Sequence, residues 1–73
     1  MDRVRLAEEI RADRVKAGKT QVQRAEELGT SRQAIWLWET GGSVPTDEFL
    51  AKLGFKVEYV RKITAPSSGD SNL

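Results

Sequence analysis

The chain has 73 residues, a formal net charge of +1, no cysteine and no histidine. This length allows one small domain with a thin hydrophobic core, so we expect the protein to form oligomers. Without those two residue types, disulfides, cysteine nucleophiles, histidine bases and nearly all zinc sites are excluded, and we expect no enzyme activity, metal or cofactor. No apolar run approaches the roughly 20 residues that cross a bilayer, and the N-terminus lacks the apolar stretch of a signal peptide. We therefore expect a cytoplasmic protein that does not bind membranes.

The charges are distributed unevenly along the chain. Residues 1–24 contain seven basic and four acidic residues, whereas residues 25–50 contain one basic and five acidic residues. The net charge is too small to indicate a nucleic-acid partner by itself. A binding surface for such a partner must therefore consist of a few well-placed groups.

Four segments with helical spacing of apolar residues make up the first 54 residues. Each segment ends at a glycine, as helices commonly do: Gly18, Gly29, Gly41 or Gly42, and Gly54. The first predicted helix has one face formed by Leu6, Ala7, Ile10, Arg14 and Ala17.

The second and third predicted helices begin with capping boxes. The second helix begins at Thr20 with the string "TQVQ" and runs to Leu28. The third begins at Thr30 with "TSRQ" and runs to about Glu39. Only the short, glycine-containing "LGT" separates them. Two helices joined by such a turn form the helix-turn-helix arrangement.

A fourth helix is predicted to begin at Thr46, with Asp47 and Glu48 in its first turn, and to end at Gly54. The pattern then changes in residues 55–63, "FKVEYVRKI", where apolar and polar residues alternate as in a half-buried strand.

The predicted strand has no partner strand in its own chain. Its open edge would pair most easily with the same strand of a second copy, so residues 55–63 are predicted to form the homodimer interface. The residues predicted to lie in that interface are Phe55, Val57 and Tyr59. Residues 64–73 are small, polar and rich in Pro, Gly and Ser, and we expect them to be disordered.

The third helix contains three consecutive bulky apolar residues, Trp36, Leu37 and Trp38. One helix face cannot bury all three, because consecutive residues point about 100° apart. If Ile35 and Trp38 point inward, Trp36 and Leu37 lie on the outer side, where they could pack on thymine methyl groups or sugars. A protein interface or a poorly covered core would explain these two residues equally well.

Arg32 and Gln33 share that outer side near the start of the third helix. Arginine and glutamine make bidentate contacts with guanine and adenine edges in the major groove. The alternative is a solvated helix face, with Gln33 used to cap Thr30.

From Leu6 to Gly54 the chain resembles the lambda-repressor/Cro-like helix-turn-helix domain. The matching strings and residues are "IRADR", "GKTQ", Ala25, "LGTS", Ile35, "WET" and "GGSVP". The resemblance implies a mainly α fold of four to five helices, followed here by the short strand. It also implies a pair between Arg14 and Glu39 that ties the first helix to the third. The DNA-binding positions that it implies are Gln21, Ser31, Arg32, Gln33, Trp36, Leu37 and Thr40.

Two residues depart from the pattern of that family. Arg24 stands where leucine is usual, so either its head reaches the surface over an aliphatic stem or the second helix is slightly rotated. Trp36 stands where a small or polar residue is usual.

The C-terminal string "LAKLGFKVEYV" resembles the end of HipB-type antitoxins, in which strands of two subunits pair. We therefore consider two functions. The first is a dimeric repressor that binds an inverted repeat of double-stranded DNA with its third helix. The alternative is an antitoxin that neutralises a protein toxin and represses its own operon.

Overall fold

The computed structural model describes residues 3–64, which form five α-helices. Their bounds are α1 Arg3–Lys16, α2 Gln21–Leu28, α3 Arg32–Thr40, α4 Asp47–Leu53 and α5 Val57–Thr64. The fold is mainly α, as predicted.

Helix α3 lies at the centre of the domain and packs against both α1 and α2. Ile35 on α3 is completely buried, and the Trp38 ring lies 5.2 Å from that of Phe49 on α4. The prediction that Ile35 and Trp38 point inward is therefore confirmed. All five helices contribute buried apolar residues to one core: Leu6, Ile10, Ala25, Leu28, Ile35, Trp38, Leu50, Leu53 and Val60.

The predicted face of α1 is confirmed for its apolar part, since Leu6, Ala7 and Ile10 are buried. Ala17 is different, because α1 ends at Lys16 and Ala17 is exposed in the turn that follows.

The ends of α2 agree with the sequence prediction. Thr20 accepts a hydrogen bond from the backbone N–H of Gln23, and the Gln23 side chain accepts one from the Thr20 backbone. At the other end, Gly29 has φ 73°, a left-handed conformation that glycine adopts without steric cost.

Helix α3 begins one residue later than the predicted capping box requires. Thr30 still belongs to the C-terminal turn of α2, because its backbone N–H donates to the carbonyl of Ala25. Ser31 is the N-cap instead, and its hydroxyl accepts a hydrogen bond from the backbone N–H of Ala34. The predicted capping box at Thr30 is therefore wrong, and Gln33 has no capping role. Helix α4 has Thr46 as its N-cap and Gly54 as its C-cap, as predicted.

The predicted strand at 55–63 is not seen in the part of the chain that the structure describes. Most of this segment forms α5 instead, in which Val60 is buried and Val57 and Ile63 pack against the core. These three residues also follow the three-residue spacing of a helix face. A helix satisfies its backbone hydrogen bonds internally, whereas the strand would have required a second chain. Thr64 is the last residue of α5, and residues 65–73 of the predicted disordered tail lie outside the described residues.

The residues predicted to dimerise through the strand have other contacts in this fold. Phe55 and Val57 pack against the core. Tyr59 is partly exposed, and its hydroxyl donates a 2.7 Å hydrogen bond to Glu9 on α1. The three residues therefore help to fix α5 on the rest of the domain, and they do not form an open strand edge.

Candidate nucleic-acid interface

A shallow groove lies between the end of α1 and the starts of α2 and α3. Its lining includes Gln21 and Arg32, two of the predicted DNA-binding residues, together with Lys19 from the loop between α1 and α2. The structure therefore brings the beginnings of the two helices of the helix-turn-helix unit to the same surface. Two exposed valines, Val15 and Val22, complete the apolar part of this groove.

The outer side of α3 is polar at its start and aromatic in its middle. Arg32 and Gln33 are exposed in the first turn, and Trp36 follows with 49% of its surface exposed. Arg32 makes no ion pair or hydrogen bond with another residue of 3–64. The predicted outward orientation is therefore observed for these three side chains, while the core fixes the opposite face of the helix.

Leu37 was predicted to lie on the outer side of α3, but its side chain is only partly exposed. One methyl group of Leu37 lies against Gly42, so close that a Cβ at Gly42 would be 2.9 Å from it. The Leu37 carbonyl also accepts hydrogen bonds from the backbone N–H groups of Gly41 and Gly42. Leu37 therefore packs against the loop after α3 more than it faces solvent.

The two predicted hydroxyl contacts have partners within the protein. Ser31 caps α3, as described above, and the Thr40 hydroxyl donates a 2.9 Å hydrogen bond to the carbonyl of Trp36. Because phosphate oxygens are acceptors, Thr40 would have to release this bond before its hydroxyl could donate to a phosphate.

Arg14 and Glu39 form an ion pair between α1 and α3, in which the Glu39 side chain is buried and the Arg14 side chain is partly buried. The Nε and Nη2 atoms of Arg14 lie 2.6 and 3.0 Å from the two carboxylate oxygens of Glu39, and Nη1 of Arg14 donates to the Lys19 carbonyl. The hydrogen bond to Glu39 raises the pKa of Arg14 above its ordinary value. Gln21 joins the pair, since its Nε2 donates a 3.1 Å hydrogen bond to Glu39. One carboxylate thus ties α1 and the start of α2 to the end of α3.

The helix-turn-helix family model matches residues 10–54, which is more than half of the chain. The protein belongs to the lambda-repressor/Cro-like helix-turn-helix family. Searches of curated proteins and of solved structures found no significant match. The C-terminal resemblance to HipB-type antitoxins is not confirmed.

Membership of this helix-turn-helix family makes the protein a DNA-binding regulator of transcription. The family is a regulatory family and not an enzyme family. Within residues 3–64, none of the helices has the length and apolar character needed to cross a membrane.

Arg24, the departure from the helix-turn-helix pattern in α2, is buried with carboxylate partners near the surface. Its Nη2 lies 3.1 Å from Asp13 on α1, and its Nη1 lies 3.2 Å from Glu27. Both carboxylates remain about half exposed, so the guanidinium lies beneath them while its stem occupies the position of an apolar residue. Its Nε atom is buried without a hydrogen-bond partner.

Sequence reasoning missed the part that Lys19 plays at this surface. Lys19 forms an ion pair with Glu27, and this hydrogen bond lowers the pKa of the Glu27 carboxyl. Glu27 also binds Arg24, which pairs with Asp13, so Lys19 belongs to a chain of ion pairs that connects the loop before α2 with α2 and α1. Lys19 lies within the string "GKTQ", from which only Thr20 was predicted as a cap and Gln21 as a DNA contact. Gly42 was also missed, since its contact with Leu37 has no signature beyond "GG".

Proposed function

We propose that this protein is a transcriptional repressor that binds specific double-stranded DNA sequences with α3 in the major groove. The observation that carries the proposal is the exposure of Arg32 and Gln33, side by side in the first turn of a helix that the core holds from behind. These side chains have the donors and acceptors that distinguish base pairs in the major groove.

The proposal includes two copies of the chain on an inverted repeat. Helix α3 has 9 residues, a length of about 13 Å, and it covers only about four base pairs. A second copy doubles the number of bases read, and in this arrangement two recognition helices lie about 34 Å apart on one side of the duplex. Because Val57–Thr64 form α5 in the described chain, the proposal does not assign the contact between the two copies to a pair of strands.

Repression is the simplest regulatory outcome for such a protein, because binding at a promoter blocks polymerase without a further domain. The antitoxin alternative depended on the C-terminal strand. Since that strand is not seen in residues 3–64, no structural observation favours a toxin as partner.

The first experiment is selection of bound sequences from a random duplex pool, with the mass of the complex measured in solution. Enrichment of an inverted repeat bound by two copies supports the proposal. Enrichment of a single half-site bound by one copy refutes the dimeric part, and failure to enrich any sequence refutes sequence-specific binding.

Substitutions then test the assigned residues on the selected site and on random DNA. We expect Arg32→Ala or Gln33→Ala to cost about 1–3 kcal/mol on the selected site and to relax the preference at one position. Arg61→Ala on α5 is the matched control, since it removes the same charge from an exposed arginine on another helix. If it lowers affinity and specificity as much as Arg32→Ala does, the assignment of α3 is wrong.

Gln21→Ala should weaken binding evenly across sequences, as loss of a phosphate contact does. Because Gln21 also donates a hydrogen bond to Glu39, the stability of this variant must be measured alongside its affinity. Loss restricted to the selected site would show that Gln21 reads a base instead.

A further inference from the structure

Trp36 is a large aromatic side chain that the core does not use. It is 49% exposed in the middle of α3, whereas Trp38, two residues later, is buried against Phe49. Among the residues that the structure describes, the large apolar side chains more exposed than Trp36 are Val4 and Val15, both on α1. An aromatic ring at this place therefore has no explanation in the packing of the domain.

Its neighbours place the ring within the surface that is proposed to face DNA. Arg32 and Gln33 lie four and three residues before Trp36, so all three side chains occupy one strip of the helix. The hydrogen bond from the Thr40 hydroxyl to the Trp36 carbonyl closes the next turn. The backbone that carries the indole is therefore held on both sides.

The indole offers two kinds of contact at once. Its ring is apolar, and its Nε1–H is a donor that has no hydrogen-bond partner among residues 3–64. A base that suits it must present an acceptor and an apolar group next to each other in the major groove.

Thymine is the base that meets both conditions, since its major-groove edge carries the O4 acceptor beside the 5-methyl group. Cytosine presents an amino donor and no methyl group, while guanine presents only acceptors and adenine lacks the methyl group. We propose that Trp36 is the specificity-determining residue that reads thymine, with the ring against the 5-methyl group and Nε1–H donating to O4. This inference rests on the proposed function, and it adds the base that α3 selects through this residue.

The test removes one methyl group from the DNA. In the selected site, each thymine in turn is replaced by deoxyuridine, which keeps O4 and base pairing but lacks the 5-methyl group. We expect one position per half-site at which this change lowers affinity about fourfold, the effect of losing one buried methyl-sized group. A 5-methylcytosine–guanine pair at that position keeps the methyl group but replaces the acceptor with a donor, so it should bind more weakly than deoxyuridine.

Variants of Trp36 assign the effect to the indole. Trp36→Leu should lower affinity for the thymine site and make the protein insensitive to deoxyuridine. Trp36→Phe retains the ring but lacks the N–H, so it should keep the response to the methyl group and should bind the 5-methylcytosine site more tightly than the deoxyuridine site, the reverse of the wild-type order. Trp38 remains as the single tryptophan in both variants, and its fluorescence reports whether the core is intact.

Photocrosslinking gives a direct measurement. With 5-bromodeoxyuridine at the sensitive position, irradiation should attach the DNA to the peptide containing Trp36, and the crosslink should be lost in Trp36→Leu. A crosslink to another element overturns the assignment, as does a wild-type affinity that no deoxyuridine changes. In both cases an enriched site leaves the proposed function intact, whereas the absence of any enriched site overturns both.

Discussion

Replacing Glu39 by glutamine should destabilise the protein by about 3 kcal/mol, the low end of the cost of leaving a buried charge without its partner, because the remaining Arg14 side chain is 14% exposed. Only 2% of the Glu39 side chain is exposed, and it accepts two hydrogen bonds from Arg14 and one from Gln21. Glutamine has the same shape but no charge, and its amide turns an N–H toward donors that need an acceptor. A 73-residue domain typically has about 4–11 kcal/mol of stability, so this loss is a large fraction of the total.

The assay is urea unfolding followed by tryptophan fluorescence. With a slope of about 1–3 kcal/mol per molar urea, the midpoint should fall by more than about 1 M. Glu48→Gln is the matched control, because Glu48 is 78% exposed and lies 3.9 Å from Lys52, and this change should cost less than about 1 kcal/mol. Replacing Arg14 and Glu39 together by methionine and leucine should recover most of the loss, since no buried charge remains. A cost for Glu39→Gln no larger than that of the control would refute this reasoning.

Three further predictions concern other contacts. Arg24→Leu should leave stability unchanged or raise it, because it removes a buried guanidinium whose Nε has no partner; a loss above about 1 kcal/mol in urea unfolding would contradict this. The pKa of Tyr59 should lie above 10.0, because its hydroxyl donates a hydrogen bond to Glu9. The tyrosine absorbance at 295 nm should therefore titrate at lower pH in Glu9→Gln. The contribution of this hydrogen bond to stability is present below pH 10 and is lost as the pH rises through the pKa of Tyr59 in the folded protein. Equal midpoints would show that the bond is absent in solution. Gly42→Ala should cost about 1 kcal/mol, the low end for overpacking, because the flexible end of Leu37 can move aside; a cost above about 3 kcal/mol in urea unfolding would show that Leu37 is fixed.

The positions of the first four helices followed from local signals that the fold does not override. Thr20 and Thr46 are N-caps, and Gly29 and Gly54 are C-caps, because each satisfies backbone groups at a helix end within a few residues of itself. The one-residue error at Thr30 is also local in origin. Two helices separated by a short turn compete for the residues between them, and the C-terminal turn of α2 takes Thr30.

The error at the C-terminus has a different origin. Alternation over Phe55, Val57 and Tyr59 fits a strand, but the wider spacing of Val57, Val60 and Ile63 fits a helix equally well. A short apolar segment does not distinguish the two patterns. The decision comes from α1, which offers a surface for Val60 and a carboxylate for Tyr59. That surface is formed by residues about 50 positions earlier, so no local pattern contains it.

The candidate site combines residues of both kinds. The exposure of Arg32 and Gln33 followed from helix periodicity, whereas the hydrogen bond between Gln21 and Glu39 depends on how α2 packs against α3. One hydrogen on Nε2 of Gln21 is used in the bond to Glu39, and this bond fixes the direction of the whole Gln21 amide. The carbonyl oxygen and the second N–H hydrogen of the amide remain for a ligand. In the proposed phosphate contact only this remaining hydrogen can donate, and the Arg14–Glu39 pair helps to position it.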